Sequence, residues 1–497
     1  MSAFRAGWAE VNLTPEKKVH LCGQFCERIS EYVETPVYAT ALALDMGEEN
    51  VVFCACDLVA TDLSLLYDVR EKLAEILPEF DSKNLILSAT HTHTSVQYEG
   101  SNIEDAGATL SILKKYAPDN VKYADPLPAD ESVMSDREAR FFLRDRIAEA
   151  VAQAWNNKKP AKFANEFGRA AVGMCRRAKY DDKSAAMWGD TNTSNFDALE
   201  SGNDSGVELL YFFDEAGKLT GVIANIACPA QAVQHRNFVS SDFWGKCKII
   251  IREQLGEDIF LLPLCAPAGC QCPVDLIRWV EPDSDLHDPN ISRNNPPKRK
   301  ADPSMFDIAG SWKAGRRIAH EIIDALPEAQ AEMTEAFKLE HRLEMTKLPV
   351  RKVTRADRQA AIDALDKFFA ANAGKTLSFY DNASMHVHAG TLARYDWQQT
   401  NHVFEYENHF VRLNNMAFNT NPFELFLDYG NRIRAQSPAE QTFLIQLANG
   451  SMGYLPTERA EEGSHYSAYV SSGLTGHVGG DLLVRETLDT LQKMFKD

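Results

Sequence analysis

The chain has 497 residues, 44% hydrophobic and 25% charged, with a formal net charge of −19. This composition is that of a soluble globular protein, long enough for one large α/β unit or for two to three average domains. The acidic balance, with basic runs no longer than Arg176-Arg177 and Lys298-Arg299-Lys300, excludes nucleic acid and anionic membrane surfaces as partners.

The N-terminus has no apolar signal core, no run of eighteen apolar residues predicts a membrane span, and the ten cysteines read as reduced thiols. A cytoplasmic protein is therefore expected. Residues 38–58 predict a hairpin: Tyr38–Met46 alternates, Gly47-Glu48-Glu49-Asn50 turns, and Val51–Asp57 returns. Cys54 and Cys56 then belong to strand core. Residues 62–77 carry helical periodicity. The apolar run from Leu85 predicts a buried strand that ends in His91-Thr92-His93. Residues two apart on an extended backbone share a side, so both imidazoles are expected to leave one strand end together. Imidazole is the commonest zinc ligand, and α/β sheets place ligands at strand ends, so the pair points to a metal-dependent hydrolytic site. Two polar residues at a solvated strand end are the ordinary alternative.

Further along, Ser135 and Glu138 form a capping-box pattern that opens a helix to about Asn156. Gly206–Asp214 and Leu219–Ala227 read as paired strands around the turn Glu215–Lys218. A helix is expected over 242–255, a buried strand over Asp258–Leu264, helices near 309–325 and 355–371, and strands near 336–345 and 405–417. The chain ends with a helix after Pro422, a strand at 441–448 and a last helix from about Gly480. Residues 280–305, rich in Pro, Asp and Asn, predict either a surface loop or a lid over substrate. The order of strands and helices, with no repeat and no linker, predicts an α/β fold of mixed β-sheets flanked by helices. The whole of 1–497 is read as one large unit with the metal site at strand ends.

Several segments in order resemble the neutral/alkaline, non-lysosomal ceramidase family of zinc-dependent amide hydrolases. They are Pro36–Leu44, Ser88–His93, Gly173–Arg177, Val222–Phe243, Ala266–Pro273, Asn421–Glu424 with Gly430–Arg432, and Gly453–Thr457 with Tyr466. The resemblance is closer to a signal-less branch than to the secreted lipid-cleaving members, and it leaves no room for their C-terminal β-domain. It implies Zn²⁺ held by His91, by Glu424, and by Tyr466 with Tyr454 as the alternative. The family's second histidine falls on Cys228, whose thiolate is itself a good zinc ligand. His235 is the other candidate, as a ligand or toward substrate. His93 is expected to orient or protonate the reacting group, or to bind the metal. Glu424, after Asn421-Pro422, is expected near a helix start, where the dipole favours a carboxylate.

The family's reactive serine falls on Cys272 and a neighbouring aspartate on Cys270, so Cys272 is read as a nucleophile or a pocket wall. Arg176 and Arg177 are candidates for a substrate carboxylate or phosphate, and Asp242 for a helix cap or a functional acid. The implied function is zinc-dependent hydrolysis of an amide bond in a small soluble substrate rather than in ceramide, with homo-oligomerisation open. A metal-free or catalytically decayed binding protein on the same scaffold is the alternative. A thiol-redox protein using Cys265, Cys270 and Cys272 is disfavoured by the absence of a Cys-x-x-Cys.

Overall fold

The computed structural model describes residues 3–101, 106–124, 130–277 and 306–496, and the 280–305 segment lies outside them. A large sheet is built from β1 (Arg5–Asn12), β2 (Tyr38–Asp45), β3 (Asn50–Cys56), β4 (Leu85–Ala89), β5 (Lys159–Cys175), β6 (Asp204–Asp214), β7 (Leu219–Ile226) and β8 (Phe260–Cys265). Its order is β8-β7-β6-β5-β1-β2-β3-β4. The β3–β4 and β7–β8 pairs are parallel and the other pairs antiparallel. A second sheet runs β9 (Leu339–Pro349), β10 (Val403–Leu413), β11 (Met416–Thr420) and β12 (Gln441–Ile445), with β11–β12 parallel. Helices flank this mixed arrangement, as the sequence predicts.

The period of two along the strands sorts the two faces. Ala39, Ala41, Ala43, Val52, Cys54, Cys56, Leu85 and Leu87 pack in one core with Leu65, Leu66, Leu143 and Ile147 of the helices Leu63–Ile76 and Asp136–Asn156. The intervening Leu42, Leu44, Val51, Phe53 and Ile86 share a core with Val411, Phe418 and Phe443 of the second sheet. Helix Leu63–Ile76 starts at Asp62, whose carboxylate accepts from the amides of Ser64 and Leu65. The Ser135/Glu138 capping box starts the longer one. Helices Asp242–Leu255 and Asp307–Asp324 cover β6 and β7, and the helix His477–Met494 covers β10 and β11 through Leu491 and Met494. A smaller apolar cluster joins Leu113, Leu365, Phe369 and Leu392 of three further helices.

The hairpin closes with Asp45 opposite Asn50, and the helix over 242–255 has the predicted bounds. Three features differ. The 405–417 strand is two strands, broken at Asn414, which takes a positive φ of 50°. The seventeen-residue β5 is a strand the sequence does not announce, because charged, alanine and glycine residues replace an apolar/polar alternation even where burial alternates, over Phe167–Val172. Glu424 does not start a helix: Glu424–Leu425 pairs in parallel with Tyr454–Leu455, and the helix begins at Leu427. Among the described residues, no helix is long and apolar enough to cross a membrane.

Candidate active site

Backbone hydrogen bonds tie the C-terminal ends of five strands together. Ala89 donates to the Leu447 carbonyl (3.2 Å), Gln446 to Cys265 (3.0 Å), Ala266 to Ile226 (2.8 Å), Ala448 to Asn421 (3.0 Å) and His93 to Ala230 (3.2 Å). The segments leaving β4, β7, β8, β11 and β12 thus meet at one place, and each contributes to the site.

β4 stops at Ala89, two residues before His91, and His91 has φ 61°. The two histidines therefore converge through a left-handed turn rather than through an extended strand end. Such a conformation is uncommon for non-glycine residues, though asparagine, aspartate and histidine enter it more often than the rest, and it tends to occur at functional sites. His91 Nδ1 donates to the Val59 carbonyl at 2.7 Å, which leaves Nε2 facing inward. That Nε2 lies 3.2 Å from His93 Nε2 and 3.3 Å from Glu424 Oε2. His93 is held from behind: Arg28 donates to its carbonyl at 2.6 Å, and a Cβ on Gly23 would stand 2.5 Å from its Nδ1. Burial, then His91, Arg28 and Arg176, push the His93 imidazolium well below its ordinary pKa, so the ring is neutral.

Burial pushes the Glu424 carboxyl up, but His91, Arg176 and Tyr454 together outweigh it and hold the group below the usual range. Arg176 Nη2 lies 3.7 Å from Glu424 Oε2 and donates to the Tyr454 hydroxyl at 3.3 Å and to the Gly269 carbonyl at 3.1 Å. Its Nη1 donates to Gln231 Oε1 at 3.0 Å, and Gln231 Nε2 lies 2.7 Å from His93 Nε2. Tyr454 also hydrogen-bonds Glu424 and Tyr466, and burial pushes its phenol up. Tyr466 stands one ring further out, 5.5 Å edge-on from Tyr454, and touches Phe25 at 5.7 Å. Phe25 is 40% exposed, so this aromatic series leads from the surface to Glu424.

The remaining candidates are placed elsewhere. The Cys228 thiol faces the carbonyls of Val172 and Pro229, at 3.5 and 3.6 Å. His235 stacks on Phe306 and reaches Asp307 at 3.6 Å, away from His91. The Cys272 thiol donates to the Val274 carbonyl at 3.2 Å, and burial pushes its pKa up in spite of Arg176. That is the opposite of an activated thiolate. Arg177 spends its donors on Glu200 and on Tyr466, Ser467, Ala460 and Ser464, so Arg176 and not Arg177 faces the histidines. Asp242 begins its helix and accepts from Val233 N (3.0 Å) and Phe243 N (2.6 Å), pinning the loop that carries Gln231. Gln231 is the partner that sequence reasoning passed over, and it had no signal; Arg176 was named only as a candidate for substrate, and its contacts in the site are with Glu424, Tyr454 and Gln231.

Among the described residues, no group of three or more His, Cys, Asp and Glu side chains forms a ready metal cage. The pairwise geometry nevertheless suits a cation. With Nδ1 of His91 committed to Val59, its Nε2 and the Glu424 carboxylate are both electron-pair donors, 3.3 Å apart. A proton or a cation must lie between such atoms. Two donors on a tetrahedral zinc, with bonds of about 2.0–2.1 Å, are separated by about 3.3–3.4 Å.

Taken together, the fold is that of the neutral ceramidases. The chain aligns with the crystal structure of neutral ceramidase from Pseudomonas aeruginosa at a TM-score of 0.66 and 15% identity, over 99% of this chain and 75% of that one. It aligns equally, at 16% identity and the same coverage, with a structure described as ceramidase complexed with C2. No family model and no curated protein matches the sequence.

Proposed function

We propose that this chain is a zinc-dependent hydrolase of amide bonds in a small soluble substrate. The observation that carries the proposal is the approach of His91 Nε2 to Glu424 Oε2, with His91 Nδ1 fixed on Val59. The ceramidase-like fold supports the same reaction class. His91, Glu424 and Tyr454 would hold the metal; Tyr454 takes the place first given to Tyr466 because it is the tyrosine that touches Glu424. Neither Cys228 nor His235 points at this group. A bound zinc would polarise the scissile carbonyl and lower the pKa of a water.

The protein's own residues do the rest. Glu424 is kept ionised by His91 first, then by Arg176 and Tyr454, so the centre holds a carboxylate at neutral pH. Arg176 orients the Tyr454 hydroxyl and balances charge in a site that excludes bulk water. His91, Glu424 and Tyr454 are each less than 5% exposed, which suits a small substrate end entering past Tyr466. Neutral His93 stands beside the same group, with its Nε2 accepting from the Gln231 amide.

The test is metal analysis of protein purified without chelators or a nickel column, together with hydrolysis of a panel of short N-acyl amides. About one zinc per chain and turnover that disappears in His91→Ala are expected. A second reading, a catalytically decayed binding protein, is favoured by the Cys228 and Cys272 thiols, which are buried against carbonyls where the family has working side chains. Protein free of metal and inactive on every amide would establish that reading instead.

A further inference from the structure

Gln231 stands between Arg176 and His93 and touches both. Its amide is buried, at 4% exposure. A guanidinium only donates hydrogen bonds, so the contact with Arg176 Nη1 at 3.0 Å identifies the atom facing Arg176 as the amide oxygen. The atom facing His93 Nε2 at 2.7 Å is then the amide nitrogen. An amide nitrogen also only donates, so His93 Nε2 is the acceptor. An imidazole nitrogen has one in-plane lone pair, and here Gln231 takes it. His91 is the opposite case, with Nδ1 on Val59 and Nε2 directed at Glu424.

From this geometry we infer that Gln231 is a positioning residue that keeps His93 out of the metal-ligand set. His93 Nε2 stands only 3.2 Å from His91 Nε2 and would otherwise reach the same cation. Gln231 cannot easily retreat: the His93 amide is bonded to the Ala230 carbonyl at 3.2 Å, and Asp242 holds Val233 N. The result is an imidazole whose Nε2 lone pair is engaged by Gln231 beside the metal-binding group, rather than a further ligand on it.

The inference rests on the zinc-hydrolase reading, and its test separates the two. Zinc affinity is measured by chelator competition for the full-length protein, His93→Ala, Gln231→Met and the double variant. His93→Ala alone is expected to change the zinc Kd by less than about threefold. Gln231→Met frees the lone pair and is expected to tighten zinc by about tenfold, the size of effect that outer partners of metal ligands have. The gain should vanish in the double variant. Weakening by tenfold or more in His93→Ala alone, or an unchanged Kd in Gln231→Met, would overturn the inference. A second measurement needs no metal: ¹⁵N spectra of histidine-labelled apoprotein should show His93 protonated on Nδ1 and a hydrogen-bonded acceptor at Nε2, with that signal moving in Gln231→Met. A proton on His93 Nε2 in the wild type would also overturn it. Wild-type protein that shows this nitrogen pattern but binds no zinc would sink the proposed function and leave the Gln231 clamp standing.

Discussion

The imidazole of His91 and the carboxylate of Glu424 approach to 3.3 Å, although one follows β4 of the large sheet and the other follows β11 of the small one. The contact is where the two sheets, which share a hydrophobic core, also share a polar end. Ala89 bonding to Leu447, and Gln446 to Cys265, hold that end in register, so the distance is set by backbone pairing and not by side-chain reach. Preorganisation of this kind is what a metal-assisted site requires.

Behind His91, Asp57 is fully buried and accepts from Tyr38 N at 2.9 Å and from the Thr90 hydroxyl at 3.3 Å. Burial pushes its carboxyl up to about 6, against the pull of Lys248 and the Tyr38 amide. The folded pKa thus lies above the unfolded one. The folded state binds more protons between about pH 4 and 6, so this group's stabilisation is fully present below pH 4 and is lost as pH rises through 6. Asp57→Asn is neutral throughout and keeps an oxygen for the Tyr38 amide. Relative to wild type it should gain about 2 kcal/mol between pH 4.5 and pH 7.5. Urea midpoints at the two pH values check this, and a difference that does not change with pH would be inconsistent with it.

All but one of the ten cysteines are buried; Cys26 is the half-exposed one. The Cys272 thiol is buried, bonded to Val274 and pushed up in pKa. Native protein treated with iodoacetamide at pH 7.5 should therefore be modified at Cys26 first, and at Cys272 only on unfolding. Cys272→Ser should keep its hydrolytic rate, since the hydroxyl retains the contact with the Val274 carbonyl. Peptide mapping that found Cys272 labelled before Cys26 would restore it as a nucleophile.

What the sequence discloses about this site depends on how local each feature is. The hairpin over 38–58 and the helix over 242–255 are written in their own periodicity, and both are present. His91, His93 and Glu424 stand in recognisable short motifs, and the fold brings them together. The choice between Arg176 and Arg177 is not local. The two follow β5 and face opposite ways, and the facing is decided by Cys175 pairing with Gln271 across the chain. Tyr454 over Tyr466 is likewise decided by the parallel pairing of Tyr454 with Glu424. The left-handed turn at His91 is not legible either: histidine enters that region more often than most residues but still only in a minority of cases, so its presence alone does not announce the turn.

Arg177 is fully buried, and five contacts match its five N–H groups: Glu200 on Nε, Tyr466 O and the Ser467 hydroxyl on Nη1, Ala460 O and Ser464 O on Nη2. The loop it holds has Ser464, His465 and Ser467 at φ 59°, 76° and 71°, each costing about 1 kcal/mol or more in a non-glycine residue. Arg177 thus holds a strained turn that presents Tyr466 to Tyr454. Arg177→Met should lower stability by about 3–5 kcal/mol, because it leaves the Glu200 carboxylate buried and unpaired. Arg177→Met with Glu200→Gln removes that stranded charge and should recover part of the loss, while the loop still relaxes. Urea unfolding reads the first effect. Faster amide exchange over 460–468 in both variants reads the second. Equal stability of the single and double variants would show that the buried ion pair is not what holds the turn.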